Sequence, residues 1–240
     1  MAAMLELHAL CRHFGSLKVL DNLNLNVAEG DVLGVLGPNG AGKTTLFNVI
    51  LGVHPATSGD VIFEGRVISR MRPWSRCRAG IGRTYQVPRP FTHMSVYENI
   101  LAAAVSGGGM RLRAARDWAM DVAELTDLDH RVRSAAGDLS LLDLKRLEFA
   151  KAIACRPRLL LLDEIAGGLT DYECGTLLEI VETVRSRGAT IVWIEHVLHA
   201  LCRVATRLAV LYGGAIISEG APEAVLADPK VRDVYLGVEA

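Results

Sequence analysis

V-L-G-V-L-G-P-N-G-A-G-K-T-T-L-F spans residues 32–47, and its centre, Gly37-Pro38-Asn39-Gly40-Ala41-Gly42-Lys43-Thr44, fills the pattern G-x-x-x-x-G-K-[ST]. That pattern is a device for holding polyphosphate. The apolar run Val32–Leu36 reads as a strand and the residues from Gly42 onward as an amphipathic helix, so the glycine-rich segment is expected to turn one into the other. Glycines at 37, 40 and 42 let successive N–H groups point inward, forming a nest for an anion at the partly positive end of the helix. Lys43 is placed to reach the outer phosphates as a point charge, and the Thr44 hydroxyl to ligate the Mg²⁺ that accompanies a nucleotide. A turn that binds nothing is the alternative; the strand and helix in their required places argue against it.

The chain has 240 residues, enough for one large domain or a core with an inserted subdomain. Its cysteines, at 11, 77, 155, 174 and 202, form no C-x-x-C pair, which suits a reducing compartment and predicts small buried hydrophobes rather than disulfides. A net charge of −1 gives no global electrostatic case for nucleic acid or an anionic membrane. No apolar run reaches the ~20 residues of a spanning helix. Met1–Leu10 lacks the basic-then-apolar order of a signal peptide, so a soluble cytoplasmic chain is expected. A hydrophobic content of 50% and a mean hydropathy of +0.27 suit strands buried on both faces, or a surface reserved for partners.

Along the chain, Met4–Leu10 and Lys18–Val27 read as strands, the second with clear alternation. Phe14 is either an ordinary ring or one that stacks on a nucleotide base, and the residues leave both open. Val61–Phe63 and Gly65 suggest a short hairpin. Between Arg66 and Arg89 stand seven arginines, read as a solvated face rather than as a phosphate or acidic-partner site. Gln86 follows the expected strand Ile81–Tyr85 and precedes the breaker-rich Val87–Pro90. Then Ser95–Ala104, Arg113–Leu125 and Leu142–Cys155 are helical in period, with Gly107–Gly109 read as a flexible link, giving an all-helical insertion of about sixty residues. The α/β alternation resumes with strand Arg158–Leu162, helix Tyr172–Arg187, strand Thr190–Ile194, a helix from His196, strands Leu208–Tyr212 and Ala215–Ser218, and a terminal helical region. The order implies an α/β fold with a largely parallel, helix-flanked sheet.

Leu159-Leu160-Leu161-Leu162-Asp163-Glu164 is a buried-strand run ending in two carboxylates. Ligands in parallel sheets meet the carboxyl ends of strands, so Asp163 is expected to hold Mg²⁺ and Glu164 to polarise the water that attacks the γ-phosphate. Capping of the next segment is the other reading of the pair. Ile191-Val192-Trp193-Ile194-Glu195-His196 repeats the arrangement with a histidine, which taken alone reads as structural and, at the end of an adjacent strand in such a fold, could contact the γ-phosphate or the attacking water. Gln86 by itself carries no signal.

Together these residues resemble the nucleotide-binding subunit of an ATP-binding cassette (ABC) transporter, over nearly the whole chain. The resemblance implies the ABC ATPase fold: a P-loop NTPase core with a mainly parallel sheet plus antiparallel strands, and an inserted all-α subdomain. Residues 1–86 and 157–240 would form the core with its β subdomain and helical tail, and residues 87–156 the helical subdomain. It further implies that Phe14 stacks on the base of ATP, that residues 37–44 and Thr45 cradle its phosphates, and that Thr44, Gln86 and Asp163 attend Mg²⁺. Glu164, His196 and Gln86 become the catalytic set, Gln86 also linking the site to the surface that grips membrane subunits. Leu139-Ser140 opens the signature, whose Ser140 would act in trans on ATP held by a second ATPase subunit.

More narrowly, R-T-Y-Q-V-P-R-P-F at 83–91, the stretch 146–164 and the tail E-G-A-P-E-A-V…D-P-K-V-R-D-V-Y-L-G resemble ATPases of bacterial branched-chain amino-acid importers. Such systems join two different ATPase subunits to two membrane permease subunits and, indirectly, a periplasmic binding protein, at the cytoplasmic face of the inner membrane. They take branched-chain amino acids or related small polar solutes and no nucleic acid. A soluble ABC ATPase acting on DNA or ribosomes is disfavoured by the single cassette and near-neutral charge, and an ATP sensor without turnover by the intact Glu164.

One motif departs. The signature is typically L-S-G-G-Q, and here it reads Leu139-Ser140-Leu141-Leu142-Asp143. Leu141 adds a side chain where glycine permits close approach, and Asp143 sets a negative charge beside a helix N-terminus that should face γ-phosphate. Two readings stand: the altered signature weakens the partner's ATP site, or Ser140 and the backbone suffice. Ile165 and Thr170 also replace a frequent Pro and Asp.

Overall fold

A computed structural model describes residues 3–236, so Gly237 and the three residues after it lie outside the described residues. The chain divides into two compact units, Met1–Arg76 with Thr190–Ala240, and Cys77–Ala189.

The first unit opens with two long strands, β1 (Ala3–Phe14) and β2 (Leu17–Ala28). In β2, Leu23, Leu25 and Val27 are buried while Asn22, Asn24 and Asn26 are exposed. That period of two is what a sheet with one face in the core requires. Then come β3 (Val32–Leu36), α1 (Lys43–Ile50), β4 (Ser58–Phe63), β5 (Arg66–Val67) and the short α2 (Pro73–Arg78). An antiparallel sheet runs in the order β2-β1-β4-β5. Proline at the first position of α2 costs no hydrogen bond there and presets the helical φ.

Arg76 corrects the reading of the arginines as a solvated face. It is 1% exposed, and its guanidinium donates to the carbonyls of Val49 and Ile50 at 2.8 and 2.7 Å, of Met71 at 2.9 Å and of Ser69 at 2.9 Å. A planar fork of five N–H donors fits this task where an ammonium would not. Two of the acceptors lie in the last turn of α1, where a cation also meets the negative end of the helix dipole. Burial lowers the Arg76 pKa from 12.5 to about 10.

In the second unit, β6 (Ile81–Arg83) is followed by α3 (Val96–Ser106), α4 (Leu112–Leu125), α5 (Leu141–Ala154), β7 (Leu159–Asp163) and α6 (Asp171–Ser186). Strands β6 and β7 pair in parallel, and α3, α4 and α5 pack on one another. Capping boxes start α3 (Ser95 with Glu98) and α6 (Thr170 with Glu173), each satisfying two N–H groups that a helix start leaves unpaired. Gly107 is not the flexible link its neighbours suggested. A Cβ there would stand 2.4 Å from the Cys155 sulfur and 3.0 Å from the Ala103 carbonyl, so the glycine permits a close approach of α3 to α5.

The chain then re-enters the first unit as β8 (Thr190–Ile194), α7 (Leu198–Val204), β9 (Arg207–Tyr212), β10 (Ala215–Gly220), α8 (Pro222–Ala227) and α9 (Pro229–Leu236). Within that unit the order is β10-β9-β3-β8. β3 is parallel to both β8 and β9, and β10 is antiparallel to β9. All five residues of β3 are buried, as are all five of β8, the signature of parallel strands covered on both faces. The cysteines also differ from expectation: only Cys174 is buried, Cys11, Cys77 and Cys155 are half-buried, and Cys202 is exposed; all are free thiols. Among the described residues no helix is long and apolar enough to cross a membrane.

Candidate nucleotide-binding and hydrolysis residues

In the first unit, buried β3 delivers the chain into the loop at residues 37–42, and α1 leaves it. Gly37 has φ +152°, and a Cβ there would stand 2.2 Å from the Leu211 carbonyl oxygen on β9, so this position admits only glycine. Gly42, at φ 102°, is the N-cap of α1; no side chain caps that helix and no acidic residue stands in its first turn. The positive end of the helix therefore faces the loop with no capping side chain among the described residues. Lys43 is 6% exposed and folds back over the loop, its Nζ 2.7 Å from the Gly37 carbonyl and 3.0 Å from that of Pro38. Thr44 is exposed, Thr45 half-buried, and Asn39 and Gly40 are open to solvent. A glycine cradle, an uncapped helix start, an ammonium held among carbonyls and a free-standing hydroxyl form a donor set that fits a polyphosphate with its divalent cation.

Phe14 ends β1 and is 41% exposed. The Arg12 guanidinium lies 4.3 Å from its ring centroid, and the His54 ring stands perpendicular to it at 5.4 Å between centroids. His196 is exposed just beyond β8. Its position is set by Glu195, which is 1% exposed and whose Oε1 accepts from the backbone N–H groups of His196 at 2.9 Å and Val197 at 3.3 Å.

In the second unit the structure brings Gln86 and Glu164 together. The Gln86 side-chain amide donates to the Glu164 carboxylate, and Lys145 Nζ on α5 donates to the Gln86 carbonyl at 2.9 Å and the Glu164 carbonyl at 3.1 Å. Glu164 has φ 46°, a left-handed conformation uncommon for a residue with a Cβ and costing of order 1–3 kcal/mol. Lys145 is 4% exposed, and its two bonds hold that turn in place. Asp163, at the end of β7, is 3% exposed and pairs with Arg83 Nη2 at 2.6 Å, while its N–H donates to Thr84 Oγ1 at 3.1 Å.

Two further residues of α5 hold the segment after Gln86. Glu148 accepts from the Arg89 N–H at 2.9 Å, and Lys151 Nζ donates to the Arg89 carbonyl at 2.6 Å and to Glu148 at 2.9 Å. Lys145, Glu148 and Lys151 recur every three residues, so one face of α5 grips residues 86–89. Val87 and Phe91 beside it are exposed, at 71% and 56%. Ser140 is the N-cap of α5, its Oγ accepting from the Asp143 N–H at 3.2 Å. The Asp143 carboxylate lies 3.4 Å from Arg146 and 3.9 Å from Arg131, and Arg146 also pairs with Asp127 at 2.7 Å. Leu141 is 47% exposed at the first turn.

Sequence reasoning missed Lys145, Arg83 and Glu195. Lys145 and Arg83 take partners 19 to 80 positions away, which no local pattern reports. Glu195 was in view but overshadowed by its histidine neighbour; a carboxylate closing a buried strand was the available signal.

Comparison with known proteins shows the family of the chain. The family model for "ABC transporter" matches residues 20–167, and that for "Branched-chain amino acid ATP-binding cassette transporter" matches residues 215–240. The chain is 35% identical to a probable branched-chain amino acid transport ATP-binding protein, LivG, of Archaeoglobus fulgidus, covering 98% of this chain and 96% of the relative. It is 31% identical to the lipopolysaccharide export system ATP-binding protein LptB of Escherichia coli K12, covering 98% of each. The crystal structure of the ADP conformation of MJ1267, an ATP-binding cassette of an ABC transporter, superposes with a TM-score of 0.89 at 31% identity, over 99% of this chain and 100% of that one. With a phosphate cradle on one unit and a clamped acidic pair on the other, the chain belongs to the ATP-binding subunits of ABC transporters and is an ATPase.

Proposed function

We propose that this ATPase drives uptake of branched-chain amino acids or related small polar solutes. The match of residues 215–240 to the branched-chain amino-acid family carries the reading, because it singles out one transporter class where the loop at 37–44 is common to all. The LivG relative and the 32% identical high-affinity branched-chain amino acid transport ATP-binding protein BraF of Pseudomonas aeruginosa support it. The partners under this reading are a second ATPase subunit, two integral membrane permease subunits and, through them, a periplasmic binding protein; the chain works at the cytoplasmic face of the inner membrane.

Within the ATPase, residues 37–44 and Thr45 bind the phosphates and Phe14 stacks on the base. Lys43 exchanges loop carbonyls for phosphate oxygens, a charge-assisted contact at a site already shaped for it. Thr44, Gln86 and Asp163 would hold Mg²⁺, which supplies neutralising charge on the outer phosphates. Glu164 accepts a proton from the attacking water, and His196 steadies that water or the γ-phosphate. Gln86, bonded to Glu164 and followed by exposed Val87 and Phe91, carries the state of the site to the permease surface. Ser140 contacts the partner subunit's ATP in trans. Because Asp143 is countered by Arg146 and Arg131, its charge is softened, while Leu141 adds bulk at the helix start. We therefore retain the asymmetric pair: this chain's own ATP site is complete, and the weaker site is the one its signature serves.

Reconstitution in liposomes with the co-encoded membrane subunits tests the cargo. ATP-dependent accumulation of labelled leucine, isoleucine or valine is expected; lipid extraction from the bilayer without amino-acid uptake would instead favour the export role of the LptB relatives. A homodimer as fast as the reconstituted heterodimer would end the asymmetric reading.

A further inference from the structure

Where β1 ends, the side chains of Cys11, His13 and Asp21 bring a thiol sulfur, an imidazole nitrogen and a carboxylate oxygen within 4.8 Å of one another. Cys11 and His13 lie two residues apart on β1, and Asp21 lies on β2, in the stretch where Arg12 pairs with Leu20 and the register shifts on either side of it. Nothing in the ATPase chemistry uses these groups.

Three observations lift the cluster above chance proximity. The Nε2 of His13 is buried and has no hydrogen-bond partner, an arrangement that costs free energy unless something else satisfies it. The Cys11 sulfur accepts a hydrogen bond from the Asn22 N–H at 3.2 Å, which fixes its position beside the other two side chains. The backbone under each ligand is tied down as well. The His13 N–H donates to Thr57 Oγ1 at 2.9 Å, and the Asp21 N–H to the Gly214 carbonyl at 3.0 Å. Asn22 itself sits at φ 52°, in the irregular stretch where the β1–β2 register shifts. The competing contacts are modest. The Cys11 thiol lies 3.6 Å from the Ala9 carbonyl, and the exposed Lys18 ammonium lies 3.2 Å from Asp21.

We infer that Cys11, His13 and Asp21 form a binding site for a borderline-soft divalent cation of the zinc class, with water as fourth ligand. One thiolate, one imidazole and one carboxylate are the donors such an ion selects, whereas Mg²⁺ and Ca²⁺ take oxygen alone. Tetrahedral bonds to these atoms draw neighbouring ligands to roughly 3.3–3.7 Å, so the three side chains close in by about 1 Å. The ion displaces the Cys11 thiol proton and the Lys18 contact, and it pins the strand end one residue before Phe14. The site stands independently of any transport role.

The test uses the full, untagged chain stripped by chelator and titrated with Co²⁺, then Zn²⁺. One Co²⁺ per chain is expected, with a thiolate-to-cobalt charge-transfer band that Zn²⁺ abolishes. Cys11→Ser and His13→Ala lose the band, and Cys202→Ser and Asp127→Asn keep it. On the unaltered chain, Zn²⁺ is expected to protect Cys11 from iodoacetamide, mapped by mass spectrometry, while Cys202 stays reactive. Absence of a thiolate band, its survival in Cys11→Ser, or unprotected Cys11 in the wild-type chain with excess Zn²⁺ would overturn the assignment.

Discussion

Lys145 holds Glu164: its ammonium, buried on α5, donates to the Glu164 carbonyl at 3.1 Å and, through a second N–H, to the Gln86 carbonyl at 2.9 Å. The same helix is capped by Ser140, so one element carries that hydroxyl at its start and, a turn later, the group that orients the acidic end of β7. Hydrogen bonds from a charged donor are worth about 1.5–3 kcal/mol, and Lys145, the donor here, is itself 4% exposed. Lys145→Met should therefore lower stability by about 2–4 kcal/mol and cut ATP turnover by at least about tenfold. ATP affinity should change little, because the phosphate cradle belongs to other elements. Urea unfolding, steady-state ATPase assays and nucleotide titration calorimetry separate the three effects.

Removing the proposed base and removing the phosphate ligand should fail in different ways. Glu164→Gln keeps the amide bond partners but cannot accept a proton, so turnover should fall by roughly 10²–10⁴ with ATP still bound. Lys43→Ala removes a point charge from the phosphates and should weaken ATP binding itself, by about 2 kcal/mol or more. Equal turnover in Glu164→Gln and the parent chain would remove Glu164 from catalysis.

Arg76 bonds four carbonyls, of which only Val49's also accepts from a backbone N–H among the described residues, and its loss should be a folding defect with no bearing on chemistry. Arg76→Met should cost about 3 kcal/mol or more in urea denaturation. Arg76→Lys should recover only part of it, since a single ammonium cannot span all four acceptors. The turnover of whatever remains folded should stay near that of the parent.

The two capping boxes give a stability test with a sign in pH. Glu98 and Glu173 each accept from the backbone and hydroxyl of their N-cap residue, which holds both carboxyls below the ordinary 4.5. A depressed acid contributes stability that is fully present above its unfolded value and is lost as pH falls through the folded value. Ser95→Ala and Thr170→Ala should each destabilise by about 1 kcal/mol at pH 7. The gap to the parent should narrow as the pH is lowered below about 4.5. Thermal melts of the parent and both variants between neutral and acid pH check the sign.

The fold was readable where its determinants are local. A five-residue apolar run into G-x-x-x-x-G-K-T, the alternation of Leu23, Leu25 and Val27 with asparagines, and helical periods bounded by Ser95 and Thr170 each depend on residues a few positions apart. The glycines of the phosphate loop and the acidic pair after four leucines belong to the same class. Legibility failed where a side chain's meaning depends on distant backbone. Arg76 and Lys145 look like solvent-facing charges until the carbonyls they serve come into place, and Gly107 looks like slack until Cys155 packs against it.

The division has one physical reason. Secondary structure and phosphate-binding loops are written in short-range periodicity and in the φ angles that glycine alone allows, so the amino-acid sequence by itself determined the α/β class, the nucleotide loop and the identities of Asp163, Glu164 and His196 as candidates. A buried charge is tolerated only beside partners that folding brings from elsewhere in the chain. Tertiary structure therefore decided that Lys145 orients Glu164, that Glu195 sets His196, that Arg146 and Arg131 meet Asp143, and that Cys11, His13 and Asp21 stand together.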